Sequence, residues 1–90
     1  MVDVQKAWDN LIKHEGEVFK TVRGLEFTYT MSNNNSSFKP SRTDYVLSKS
    51  NFEKAYNLMP ADTTRQLAIN GVRGQSYVLA LLNDSRIVGY

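Results

Sequence analysis

The sequence predicts an α+β domain: a small three-stranded antiparallel sheet, with an N-terminal helix and C-terminal helices packed on one face. The expected order is α-β-β-β-α-(short α)-α. Three observations carry this reading. Val4, Ala7, Trp8, Leu11 and Ile12 form one helical stripe. Phe27, Tyr29 and Met31 alternate with Glu26, Thr28 and Thr30, the period of a half-buried strand. The chain has 90 residues, enough for a single domain over 1–90 and one core.

The elements follow in order. Asp3 is suited to cap the first helix, and Gly16 to stop it. EVFKTV and EFTYTM, flanking Arg23-Gly24, read as a β-hairpin. Its register stays open. A two-residue loop buries Val18 and Val22 and exposes Phe19. A three-residue loop pairs Phe19 with Tyr29 and buries Phe19. SNNNSS, residues 32–37, reads as an exposed loop tip. Thr43 to Leu47 is the expected third strand, at an edge, with Pro40 unfavourable to a central strand before it.

Ser48 then caps a helix, with Leu47 and Phe52 as a hydrophobic staple. Ser50 and Glu53 offer a competing capping box. Phe52, Ala55, Tyr56 and Met59 form its stripe, and Pro60 cannot continue it. A short turn over Thr63 to Ile69 ends at Asn70-Gly71. Gly74 to Asn83 reads as a last helix with Ser76 as a late cap; a buried strand over YVLALL is the alternative. Arg86 to Tyr90 reads as a tail.

Composition excludes much chemistry. With no cysteine, disulfide frameworks, thiol nucleophiles and thiolate metal sites are out. A single histidine, His14, excludes multi-histidine metal sites. No cofactor is implied. The formal charge is +2. Residues 1–37 carry four cations against five acids, and residues 38–90 carry seven against four. The basic half thus begins near Phe38, which permits a polyanion partner. The first residues lack an apolar run, and no stretch is long enough to span a bilayer. The expectation is a cytoplasmic chain with no membrane contact.

Catalysis finds little footing. His14-Glu15-Gly16-Glu17 groups titratable side chains, but His14 and Glu15 point apart on a helix. His14 also suits the negative end of the helix dipole. Glu17, Glu26 and Asp44 are the only carboxylates suggesting a metal-dependent nuclease, and they lack the strand spacing one needs. No phosphate-cradling glycine loop is present. The chain reads as a binder rather than an enzyme.

Nucleic acid, DNA above all, is the expected ligand. The candidate contacts are Lys20, Arg23, Asn34, Lys39, Arg42, Lys49 and Arg73. Phe38 to Thr43 mixes cations with hydroxyls suited to backbone contacts. Ser48-Lys49-Ser50 opens a helix, an end that attracts anions. Phe19 would stack on a base if the two-residue hairpin held.

In element order alone, residues 3–59 resemble the double-stranded-RNA-binding domain. That family grips phosphate with a lysine cluster at its second helix. The matching stretch here is Ser48-Lys49-Ser50-Asn51-Phe52-Glu53-Lys54, with one acid and two separated lysines. The family's loop histidine has no counterpart either. The resemblance stops at topology and implies no membership.

The alternative is a small phage or mobile-element protein that binds and inhibits a larger host protein, such as a defence nuclease. Trp8, Phe27, Tyr29, Phe52 and Tyr56 suffice for a core. Phe38, Tyr45, Tyr77 and Tyr90 are then left as partly exposed anchors. Self-association as a homodimer through the apolar last helix is equally compatible.

Overall fold

Asp3 opens the fold. Its carboxylate accepts the Lys6 amide at 2.8 Å and starts α1 (Val4–Lys13), which buries Ala7, Trp8 and Leu11. The computed structural model describes residues 1–89. Five short strands follow: β1 (Phe19–Lys20), β2 (Glu26–Phe27), β3 (Tyr29–Met31), β4 (Ser37–Pro40) and β5 (Leu47–Ser48). The helices are completed by α2 (Lys49–Tyr56), α3 (Thr64–Ala68), α4 (Gln75–Leu82) and α5 (Ser85–Val88). The architecture is the expected antiparallel α+β, but the sheet is split: β1-β2 stand apart from β3-β4-β5. Only Thr28 separates β2 from β3.

Alternation sorts the strands. Phe19, Phe27, Tyr29, Met31, Phe38 and Leu47 are buried on the inner side. Trp8 meets Phe38 and Phe52 edge-on, with ring centroids 6.0 and 5.3 Å apart. Each such side chain contributes about 1.5–3 kcal/mol through burial, before entropy. Buried polar ends are paired. The Trp8 indole N–H donates to the Asn35 carbonyl at 3.0 Å, and the Tyr29 hydroxyl donates to the Leu11 carbonyl at 2.6 Å. Burial pushes the Tyr29 hydroxyl pKa well up, so it remains a donor.

Several expectations are corrected. The hairpin pairs Phe19 with Phe27 and Lys20 with Glu26, leaving Val22, Arg23 and Gly24 as its loop. Phe19 is buried, as a three-residue loop requires, but the loop starts one residue earlier, at Val22, so its partner is Phe27 rather than Tyr29. Val18 and Val22 are exposed, so the two-residue register is overturned. Phe19 is therefore no platform for a base.

The third strand is not Thr43 to Leu47. Only Leu47 of that stretch is strand, and the central position goes to β4, which contains Pro40. Proline is tolerated there because β5 pairs only with Ser37 and Phe38. No ladder partner on that side misses its N–H. Phe38 is 1% exposed, so it belongs to the core rather than to an interface. Tyr77 is half-buried against Phe27; Tyr90 lies outside the described residues.

Ser48 caps α2 by accepting the Asn51 amide at 3.1 Å, so the Ser50 alternative is not used. YVLALL is helix. Val78 through Leu82 are all buried in α4, which packs against α2, α3, α5 and β1. Its cap is Gly74 rather than Ser76, at φ +62°. A Cβ at Gly74 would come within 2.6 Å of a Leu47 methyl, so glycine is required there twice over. The expected tail is also corrected. Residues 85–88 form α5, capped by Asp84, with Ile87 and Val88 buried against α1.

Candidate nucleic-acid interface

With every large apolar strand residue turned inward, the outer side of the sheet is left to small hydroxyls and cations. Thr30 and Lys39 are cross-strand partners on that side. Extending the β4-β5 register by one residue brings Val46 beside Lys39. Thr30, Ser32, Ser37, Lys39 and Val46 line a shallow cleft of about 160 Å³.

Val46 also borders a second cleft, of about 270 Å³, walled by Ser48, Ser50, Asn51, Lys54 and Arg73. Arg73 in turn borders a third, of about 290 Å³, with Tyr45, Gly74 and Gln75. Three concavities therefore run side by side, joined at Val46 and Arg73. Tyr45 and Val46 are each 64% exposed.

Arg73 is set in place by its backbone. The Asn51 side chain accepts the Arg73 amide at 2.8 Å and donates to the Arg73 carbonyl at 3.0 Å. This two-point latch ties the loop before α4 to the first turn of α2.

The sequence candidates divide. Lys39 and Arg73 line these clefts. Lys20 is exposed on β1 opposite Glu26, and Arg42 donates 2.6 Å to the Glu26 carbonyl, so both stand with the β1-β2 pair rather than in these clefts. Arg23 sits at the hairpin tip, in another cleft with Val22, Leu25 and Tyr77. Lys49 turns away: its ammonium donates 2.9 Å to the Gln5 side chain on α1. Asn34 builds its own loop, its side-chain oxygen accepting from Ser32, Ser36 and the Ser36 amide.

Two amides at the start of α2 are also occupied, Lys49 by the Ser36 carbonyl and Asn51 by Ser48. Lys54 was missed by sequence reasoning, although its position one helical turn from Ser50 was a usable signal.

Among the described residues, the ion pairs all lie elsewhere. His14 Nδ1 meets Glu17 at 2.6 Å, and Arg86 reaches Glu17 at 3.3 Å and Asp84 at 2.9 Å. The hydrogen bond from His14 holds the Glu17 carboxyl below its usual range, and Arg86 does the same for Asp84. Lys20, Arg23, Lys39, Arg42, Lys54 and Arg73 take part in none of these pairs. Acids do stand near some of them: Glu26 is paired across from Lys20, Glu53 precedes Lys54 in α2, and Asp44 precedes Tyr45.

No family model, curated protein or solved structure matches the chain. Among the described residues, no three His, Asp or Glu side chains are placed to hold a metal ion, and no helix is long and apolar enough to cross a membrane.

Proposed function

We propose that this domain is a non-catalytic nucleic-acid-binding module, with DNA as its ligand. One observation carries the reading. Lys39, Lys54 and Arg73 border adjoining clefts, with the Ser48 and Ser50 hydroxyls beside Lys54 and Arg73, and have no carboxylate partner within ion-pair distance among the described residues. Cations not neutralised within the fold are available to phosphate, and hydroxyls supply the accompanying backbone contacts.

The test is fluorescence anisotropy with labelled DNA at two salt concentrations. Affinity is expected to fall steeply with salt. The double variant Lys54→Ala, Arg73→Ala is expected to weaken binding and flatten the slope by about two phosphate contacts. Absence of binding at low salt would remove the reading.

A second reading is docking on a larger host protein, as a phage or mobile-element inhibitor would do. Val18, Val22 and Leu25 favour it, since all are exposed around the β1-β2 hairpin. Under this reading, Val22→Asp abolishes capture of one stoichiometric partner and leaves DNA affinity unchanged. Sedimentation at increasing concentration separates this from a homodimer.

A further inference from the structure

We infer that the ligand is held as a single strand, with a base stacked on Tyr45 and flanking phosphates held by Arg73, Lys54 and Lys39. The inference rests on the nucleic-acid reading above and deepens it. Tyr45 is 64% exposed, while the aromatic pairs described within the fold join only Trp8, Phe19, Phe27, Tyr29, Phe38, Phe52 and Tyr77. A ring left in water beside an arginine is a stacking platform with a phosphate-binding group next to it.

Tyr45 and Arg73 border the same cleft. Val46, equally exposed, continues the apolar surface toward Lys39. Alternation of an aromatic, an aliphatic and three cations suits bases and backbone displayed together, as an unpaired strand displays them.

A duplex fits less well. Reading a major groove calls for an inserted helix or a two-stranded ribbon. Of the three cations, only Lys54 comes from a helix, and Lys39 is on β4, the central strand of its sheet. In a duplex the base faces are stacked on one another, so Tyr45 has nothing to stack on. Asp44, adjacent to Tyr45, further disfavours the dense phosphate of a double helix there.

The experiment compares an oligothymidine of about 16 nucleotides with a duplex of equal length and with heparin, all at low salt. The oligothymidine is expected to bind tightest. Tyr45→Ala is expected to weaken it roughly ten-fold or more, and Tyr45→Phe to retain it, with duplex and heparin affinity unmoved by either. Because Tyr45 is exposed, its variants keep the fold, which circular dichroism checks. Equal or tighter duplex binding, or a Tyr45→Ala variant as good as the parent, overturns the single-strand inference and leaves the polyanion reading standing. If heparin matches the oligothymidine, base stacking is overturned in the same way. If none of the three ligands binds, both readings fall.

Discussion

The guanidinium of Arg86 lies 3.7 Å from the centre of the Phe19 ring. This contact joins α5 to β1 across most of the chain. The same side chain donates to the Val18 carbonyl at 3.0 Å and pairs with Asp84 and Glu17. One arginine thus fastens the C-terminal helix to the first strand, through its flat face and its rim together.

Arg86→Ala is expected to destabilise the domain by about 1–2 kcal/mol, from the lost cation–π contact and charge-assisted hydrogen bonds. Arg86→Lys should recover only part, since an ammonium cannot match the planar fork. Urea midpoints of the two variants check this.

Acid should weaken the same fastening. The carboxyl groups of Glu17 and Asp84 are held below their usual range, by the His14 and Arg86 hydrogen bonds respectively. The unfolded chain therefore binds those protons more tightly than the folded one. Their contribution is present above pH ~4 and is lost as pH falls below it. Melting temperatures across that window should drop less steeply in Asp84→Asn than in the parent.

Gly74 and Gly71 make a matched pair. Both have positive φ, at +62° and +79°. An alanine Cβ at Gly74 meets the buried Leu47 at 2.6 Å, whereas at Gly71 its nearest neighbour is the Lys54 ammonium at 3.7 Å. Gly71→Ala should cost only the left-handed penalty, about 1–2 kcal/mol. Gly74→Ala adds overpacking and should cost roughly 1–3 kcal/mol more. Thermal unfolding of both distinguishes conformational strain from steric strain.

Asn51→Ala removes both hydrogen bonds of the latch on Arg73. A stability loss of about 1–2 kcal/mol is expected, at about 1 kcal/mol net per bond. Affinity for oligothymidine should fall as well, although Asn51 is uncharged, because Arg73 is no longer held. Asn51→Asp keeps only the acceptor and tests which half of the latch matters.

The sequence by itself determined the elements whose causes are local. The apolar stripe of α1, the Asp3 and Ser48 caps and the polar tract before β4 are set by neighbours within a few residues, and each was legible. Helix α5 was not, since Ile87 and Val88 earn their burial from α1, far off in the chain.

Pairing was decided only by the tertiary structure. The alternation of Phe27, Tyr29 and Met31 marks an inner face without naming a partner. Phe19 pairs in register with Phe27 while Tyr29 pairs with Pro40 of β4, and the Phe19 ring packs against both Phe27 and Tyr29. The candidate interface divides in the same way. Lysines and arginines are visible in any sequence, but a shared surface needs distant segments brought together. Folding joined Lys39, Lys54 and Arg73 through Val46 and the Asn51 latch, and turned Lys49 away toward Gln5. Local propensity is encoded by neighbouring residues, whereas the convergence of charges depends on a core that closes only when all the layers pack.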